Sequence, residues 1–228
     1  MTMSMIEKNY SHIKHSIKDA ADEYHRDTND ILLLAVSKKQ SMKSIIEAHA
    51  LGQNDFGENF VQEGIEKINA LKSDKICWHF IGHLQSNKTR KISENFSWVH
   101  TVDRLKIAER LSAQRPSYAK DLNVCVQINI DQEDNKSGAK LEKLSELCQA
   151  ISDLPKLRLR GLMCIPKIHN EHEIQRRPFA KLKDQLESLN KSNLNLDTLS
   201  MGMTNDFRAA IQEGSTIIRI GTALFGPR

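Results

Sequence analysis

Apolar residues along this chain fall into short, nearly continuous runs that alternate with longer amphipathic stretches. The first run, ILLLAVS at residues 31–37, is typical of a strand that is buried on both faces of a parallel sheet. An amphipathic segment at residues 5–26 precedes it and is predicted to be a helix. The same pattern predicts strands at residues 31–37, 54–57, 76–82, 97–102, 123–130, 157–165, 196–201 and 216–221.

Amphipathic segments separate these strands. The predicted helices lie at residues 42–52, 61–72, 84–93, 103–114, 140–152, 171–191 and 205–214. Strict alternation of strand and helix implies parallel strands joined by right-handed crossovers, and eight such units predict a (β/α)8 barrel. A doubly wound open sheet stays as the alternative, because alternation alone does not prove closure. No G-x-G-x-x-G motif follows the first strand, which disfavours dinucleotide binding.

Composition narrows the class of protein only modestly. The chain of 228 residues has 33 Lys and Arg against 29 Asp and Glu, a net charge of +4 that argues against a dedicated nucleic-acid binder. No apolar run reaches the roughly 18 residues of a membrane helix, and the N-terminal residues lack the apolar region of a signal peptide. We therefore predict a cytoplasmic protein with reduced, buried cysteines.

A lysine follows the first predicted strand, at the end where (β/α)8 barrels carry their active sites. Alternation along the strand places Lys38 on the same face as Leu34 and Val36. If that face points inward, desolvation lowers the pKa of the amine and favours the neutral nucleophile that forms a Schiff base. The alternative, which position alone favours, is a lysine that leaves the strand into solvent.

The loops after the last two predicted strands carry small and polar residues. Ser200 and Gly202 follow the seventh strand. Gly221 and Thr222 follow the eighth. These two loops commonly hold a phosphate group in (β/α)8 barrels. Arg219 lies within the last apolar strand, so it needs either a neighbouring acid or a ligand at the barrel mouth as its partner.

A metal site has weaker support. Cys77, His79 and His83 are suitable ligand types, but their spacing is not evidently helical and does not bring them together. We predict no metal site.

Nine segments of the chain occur together in a characteristic order. They are LLAVSK, FGENFVQE, WHFIGHLQSNK, HTVDRLKIAERL, QIN, KSG, LRGLMCIP, LSMGM and IIRIGTALFG. In this order they resemble the pyridoxal phosphate homeostasis protein family, which is similar to the N-terminal barrel of bacterial alanine racemase. The resemblance covers residues 32–228. It implies one domain over residues 1–228, a (β/α)8 TIM barrel with an additional N-terminal helix, that binds pyridoxal 5′-phosphate (PLP).

The resemblance also implies the residues that hold the cofactor. It assigns Lys38 to the Schiff base (an internal aldimine), Asn59 to the pocket, Arg219 to the pyridine nitrogen, and Ser200, Gly221 and Thr222 to the phosphate. No role follows for His79, His83 or Lys136.

The function implied by the resemblance is intracellular PLP (vitamin B6) homeostasis by a cytoplasmic monomer, with PLP passed transiently to apo enzymes and no enzymatic turnover. An arginine at the pyridine nitrogen leaves that nitrogen unprotonated, which weakens PLP as an electron sink. The three tyrosines, Tyr10, Tyr24 and Tyr118, match no strand end where a second catalytic base is expected. The alternatives are a PLP-dependent racemase-like enzyme and a cofactor-free Schiff-base enzyme of the aldolase type.

Overall fold

Eight parallel strands close into a barrel in the computed structural model, which describes residues 3–133 and 136–226. The strands are β1 (Leu32–Val36), β2 (Asp55–Glu58), β3 (Cys77–Phe80), β4 (Trp98–Val102), β5 (Leu122–Ile128), β6 (Leu157–Cys164), β7 (Thr198–Ser200) and β8 (Ile217–Ile220). Neighbours in the sequence are neighbours in the sheet, and β8 pairs with β1. Closure confirms the predicted (β/α)8 barrel and excludes the open sheet.

Helices surround the barrel. They are α1 (Met5–Glu23), α2 (Met42–Ala50), α3 (Val61–Leu71), α4 (Thr89–Asn95), α5 (Leu105–Gln114), α6 (Leu144–Ser152), α7 (His172–Asn190), α8 (Phe207–Gln212) and α9 (Thr222–Phe225). The start of α4 was predicted too early. The carbonyl of Ser86 accepts hydrogen bonds from the Thr89 hydroxyl and the Arg110 guanidinium, which holds the residues before α4 in a turn. No helix in the described ranges is long and apolar enough to cross a bilayer.

Side-chain alternation divides the apolar residues into two layers. The larger layer lies between the strands and the helices and includes Leu33 and Ala35 of β1. The smaller layer lies inside the barrel and contains Leu34, Val36 and Ile217. Leu34 and Val36 therefore point inward, as the alternation predicts. The rest of the interior is largely polar, and its side chains form the site described below.

The predicted N-terminal helix is present and packs across the last two helices of the chain. Ile13 and Ile17 of α1 are buried. Asn9 Nδ2 donates to the carbonyl of Leu224 in α9 at 3.0 Å. Arg26, just after α1, donates through Nη1 to the carbonyl of Ile211 in α8 at 3.2 Å. Helix α1 thus joins the beginning of the described chain to its end.

All four cysteines are free thiols, as predicted. Cys77 is partly buried, whereas Cys125, Cys148 and Cys164 are buried. Burial raises the pKa of each thiol to about 12. Because the thiolate is the reactive form, these cysteines are poor nucleophiles and serve as small packing residues.

Candidate functional site

Lys38 lies at the C-terminal mouth of the barrel, two residues beyond the end of β1. In the pairing of β1 with β2, Val36 stands opposite Gly57, and continuing this register brings Lys38 level with Asn59. Both residues are partly buried. The Oδ1 atom of Asn59 is buried and has no hydrogen-bond partner among the described residues. It is therefore an acceptor that a ligand can use.

The end of β8 lies at the same mouth. Leu34 of β1 stands opposite Arg219 of β8, so Gly221 is at the end of the barrel that carries Lys38. Gly221 is partly buried and Thr222, at the start of α9, is exposed. N–H groups in the first turn of a helix have no partner within the helix. This edge of the mouth can therefore donate hydrogen bonds to a ligand.

The loop between β7 and α8 is fixed against β8. Gly202 has a φ of 92°, and a Cβ at this position would lie 2.5 Å from the Cβ of Ala210. The backbone N–H of Arg219 donates to the Gly202 carbonyl at 3.0 Å. Asp206 accepts a 2.6 Å hydrogen bond from the N–H of Met203. Glycine is required here by both backbone conformation and space.

Arg219 is buried beneath the mouth, with only 4% of its surface exposed. Its Nη1 atom donates to Ser200 Oγ at 2.8 Å, and its Nη2 atom donates to the Cys164 carbonyl at 2.9 Å. No carboxylate in the described residues lies within 4.0 Å of this guanidinium. Burial lowers the pKa of Arg219, but an arginine still remains a cation at neutral pH. The partner predicted for this arginine is thus not a neighbouring acid.

Hydrogen bonds continue from Arg219 through the inside of the barrel. Ser200 Oγ lies 2.8 Å from His100 Nδ1, and His100 Nε2 lies 2.9 Å from His79 Nδ1. His79 Nε2 lies 3.1 Å from Asp55 Oδ1, at the N-terminal end of β2. We call these five residues the interior chain. It runs from the mouth of the barrel to the opposite end.

Both histidines of the interior chain are neutral at pH 7. Each ring is fully buried. Burial lowers the pKa of His79, and the hydrogen bond of its ring to Asp55 only partly opposes this. Burial also places the pKa of His100 well below its ordinary value, helped by the nearby His79 and Arg219. The charged members of the interior chain are therefore its two end residues, Arg219 and Asp55.

Ser200 lies inside the barrel, and its predicted role at the phosphate stays a prediction. The sequence assigned it to the phosphate, with Gly221 and Thr222. Its side chain is fully buried inside the barrel, and its hydroxyl is engaged by His100 and Arg219. Alternation explains the placement, because Ser200 is the last residue of β7 and points inward rather than into the loop.

A second buried polar group lies behind Lys38, where α3 packs against β1 and β2. Lys67 Nζ donates to Glu58 Oε1 at 2.7 Å, to Glu63 Oε1 at 2.6 Å and to the Ser37 carbonyl at 2.7 Å. Ser37 Oγ donates to the same Glu58 oxygen at 2.6 Å. The N–H of Lys39 donates to Glu63 Oε1 at 2.5 Å. We call these five residues the Lys67 cluster.

The Lys67 cluster holds the residues on both sides of Lys38. Burial raises the pKa of Glu58, although Lys67 and Ser37 oppose the rise. Lys39 has a φ of 59°, so the chain turns sharply just after Lys38. The sequence pattern did not predict this cluster. Its one local signal is the i, i+4 spacing of Glu63 and Lys67 on α3.

The three residues considered for a metal do not come together. His83 is exposed, and its Nδ1 atom lies 3.3 Å from the Ser137 hydroxyl. Asp55 takes its place beside Cys77 and His79, with the possible ligand atoms within 4.8 Å of one another. The Nε2 atom of His79 that faces this group is already bonded to Asp55.

Lys136, the other motif residue without an assigned role, is exposed. It forms ion pairs with Glu133 at 2.5 Å and with Asp131 at 3.7 Å.

The chain is similar to known proteins in sequence and in fold. The family model for the N-terminal domain of alanine racemase matches residues 9–228. A curated relative from Pseudomonas aeruginosa, named pyridoxal phosphate homeostasis protein, is 52% identical over 226 residues, which are 99% of this chain and 97% of the relative.

Solved structures give the same picture. PipY from Synechococcus elongatus with PLP bound is 36% identical and superposes with a TM-score of 0.81, over 92% of this chain and 100% of that one. Alanine racemase from Corynebacterium glutamicum is 16% identical with a TM-score of 0.73, over 97% of this chain and 61% of the racemase. The second likeness shows a shared fold alone.

Proposed function

This chain belongs to the alanine racemase N-terminal domain family and, within it, to the pyridoxal phosphate homeostasis proteins, and we propose that it binds PLP at the barrel mouth and regulates its availability. The observation that carries the proposal is the convergence at one mouth of a partly buried lysine, an acceptor without a partner and a buried arginine without an acid. A relative at 36% identity has been solved with PLP bound.

The residues present suit PLP in charge and in hydrogen bonding. Asn59 Oδ1 can accept a hydrogen bond that no described residue supplies. Arg219 has five N–H donors, and Ser200 and Cys164 use one each, so donors remain for the ring nitrogen. PLP supplies an aldehyde and an electron-withdrawing ring.

Lys38 is the residue that would hold the cofactor covalently. PLP would supply an aldehyde, with which the Lys38 amine would form a Schiff base with release of one water molecule. Gly221 and Thr222 lie at the edge of the mouth where donors can meet the phosphate, with Gly202 fixing the adjacent loop. Ser200 contacts this site through its hydrogen bond with Arg219.

Binding and storage explain the site better than catalysis does. An arginine at the pyridine nitrogen donates a hydrogen bond without giving up its proton, so the ring withdraws electrons weakly. The names of the curated relatives describe homeostasis and not a reaction. The protein would then act in the cytoplasm as a monomer that limits free PLP and passes it transiently to apo enzymes.

The decisive experiment is an absorption spectrum of the purified protein with added PLP. We expect a visible band that Lys38→Ala abolishes and that Lys43→Ala, a control at an exposed lysine of α2, retains. Borohydride reduction followed by mass spectrometry should place the PLP adduct on the Lys38 peptide. A colourless wild-type protein with no adduct at Lys38 would refute the proposal.

The same experiment separates the alternatives. A sugar or keto-acid adduct on Lys38 would indicate an aldolase-type enzyme. Lys38-dependent loss of optical activity from a single amino-acid enantiomer would indicate a racemase. We expect neither.

A further inference from the structure

The interior chain has only one arrangement of protons that satisfies all of its members. An ionised carboxylate can only accept, so His79 Nε2 carries the proton that bonds to Asp55. A neutral imidazole has one donor and one acceptor, so His79 Nδ1 accepts from His100 Nε2. His100 Nδ1 must then accept as well, and Ser200 donates its hydroxyl proton to it.

This arrangement leaves Ser200 Oγ free to accept from Arg219, which can only donate. Every hydrogen bond of the chain then points the same way, from Arg219 at the mouth to Asp55 at the opposite end. Hydrogen bonds aligned in series polarise one another and become stronger. In the reverse arrangement, Ser200 would accept from both His100 and Arg219, and its own buried proton would need another acceptor.

We propose that Asp55 is a remote positioning residue for Arg219, acting through His79, His100 and Ser200 from the opposite end of the barrel. This inference rests on the proposed function, in which Arg219 faces the ring nitrogen of PLP. Asp55 touches neither the mouth nor Arg219. Its role is to determine which atom donates in each hydrogen bond of the interior chain. Ser200 Oγ is thereby left as the acceptor for the Arg219 guanidinium.

The surrounding residues keep the rings in place. The His79 ring stacks on Trp98, with centroids 5.4 Å apart and an interplanar angle of 8°. The Arg160 guanidinium also lies over Trp98, 4.7 Å from the ring centroid. Arg160 forms an ion pair with Asp197 at 2.8 Å. Packing of this kind opposes a ring flip, which would put ring carbons in place of the two nitrogens that bond to His100 and Asp55. The donor-to-acceptor direction of the interior chain therefore depends on which ring nitrogens carry protons, and not on rotation of the rings.

The donor-to-acceptor direction of the interior chain can be measured in the PLP-free protein from the protonation of the two histidine rings. Long-range ¹H–¹⁵N correlation spectra at about pH 7.5 should show His79 and His100 as neutral rings protonated at Nε2. In Asp55→Ala we expect the ring nitrogen shifts of both histidines to change. Asp74→Ala, at an exposed carboxylate just before β3, should leave them unchanged. Asp55→Glu, which restores a carboxylate, should restore the wild-type pattern.

The effect on the mouth is measured with PLP itself. Ser200→Ala removes the acceptor of one Arg219 N–H, so we expect it to weaken PLP binding about fivefold, and Asp55→Ala, which acts at a distance, about twofold to threefold. Both variants should shift the position of the visible band, because the contact at the ring nitrogen changes. Asp55→Glu should return the band to its wild-type position, which a merely structural defect would not predict.

Three results would overturn the inference. The first is that His79 or His100 is protonated at Nδ1, or carries a charge, at about pH 7.5. The second is an Asp55→Ala protein whose ring nitrogen shifts match the wild type. The third is an Asp55→Ala protein that shows altered nitrogen shifts but binds PLP with unchanged affinity and spectrum. A wild-type protein that binds no PLP would refute the proposed function instead, while the nitrogen shifts still test the proton direction.

Discussion

The interior chain and the Lys67 cluster are both buried polar groups next to the mouth, but they distribute charge in opposite ways. In the Lys67 cluster one ammonium contacts two carboxylates directly, at 2.6 and 2.7 Å. In the interior chain two neutral rings and a hydroxyl separate Asp55 from Arg219. The first group is compact and charged, and the second is extended and neutral through its middle.

Because of this difference, the hydrogen bonds of the two groups act over different distances. The bonds of the Lys67 cluster end on Ser37 and Lys39, so the cluster fixes only the backbone beside Lys38. The bonds of the interior chain end on the side chain of Arg219, far from Asp55. Two independent supports therefore act on Lys38 and Arg219, the first through the backbone beside Lys38 and the second through the guanidinium. Removing a member of one support should leave the other intact.

The largest expected effect comes from removing the shared cation of the Lys67 cluster. Lys67→Met leaves Glu58 buried without its ion-pair partner, and breaking a buried pair in this way costs about 3–5 kcal/mol. The free energy of unfolding from urea titration measures the loss. Lys43→Met, at an exposed lysine of α2, should change it by less than about 0.5 kcal/mol.

A second variant distinguishes the lost pair from lost packing. Glu58→Gln combined with Lys67→Met removes both charges, so it should recover part of the stability lost in Lys67→Met alone. A double variant less stable than the single one would show that the charge of Glu58 is not the source of the penalty.

The interior chain should respond less strongly, because its middle members are neutral. His100→Phe keeps a ring of similar size but leaves Ser200 and His79 each without one partner. Each orphaned neutral group costs about 1–1.5 kcal/mol, at the lower end of the range for buried polar groups, so we expect a total loss of about 2–3 kcal/mol in urea unfolding. His12→Ala on the exposed side of α1 is the control. A loss below about 1 kcal/mol would contradict the interior chain as a stabilising network.

The two groups should also respond to pH with opposite signs. Burial holds the pKa of His79 and His100 below 6.5, so below that pH the unfolded chain binds more protons than the native one. Stability should fall as the pH drops through this range, by up to about 1.4 kcal/mol per pH unit for each ring. Burial raises the pKa of Glu58 above 4.5, so its favourable contribution is lost as the pH rises above that value.

Urea unfolding between about pH 7.5 and about pH 4.5 checks these signs. Replacing both histidines by glutamine should flatten the decline on acidification. Glu58→Gln should make the decline steeper, because the opposing contribution is gone. The same slope in all three proteins would show that neither group governs the pH dependence.

The smallest effect is expected at the edge of the Lys67 cluster. Glu63 is partly exposed, and Glu63→Gln keeps an oxygen that can accept from Lys67 and from the Lys39 N–H. We expect a loss of about 0.5–1 kcal/mol in unfolding and an unchanged fold. An effect as large as that of Lys67→Met would show that the carboxylates contribute equally despite their different burial.

The sequence was sufficient for the architecture because one simple pattern repeats. The apolar run at residues 31–37 and its seven counterparts identify the strands, and alternation correctly points Leu34 and Val36 inward. Closure could not be derived from that pattern, because it depends on the pairing of β1 with β8 across the whole chain. The start of α4 was missed because the carbonyl of Ser86 is held by Arg110, a residue of the next helix.

The site was only partly predictable for a similar reason. Lys38 and Asn59 follow strands directly, so position alone brings them to the mouth. The role of Ser200 could not be assigned from its loop, because its partners His100 and Arg219 come from distant strands. Lys67 was missed because a helical lysine is usually exposed, and only the packing of α3 on β1 and β2 buries it.

The position of α1 determines how late in synthesis its native contacts can form. Asn9 bonds to a residue 215 positions later, and Arg26 bonds to one 185 positions later. Helix α1 therefore cannot complete its native packing until α8 and α9 have been synthesised. Until then the apolar side of α1, with Ile13 and Ile17, is exposed. Completion of this barrel is a late, long-range event, and its nascent chain is the form most in need of protection from aggregation.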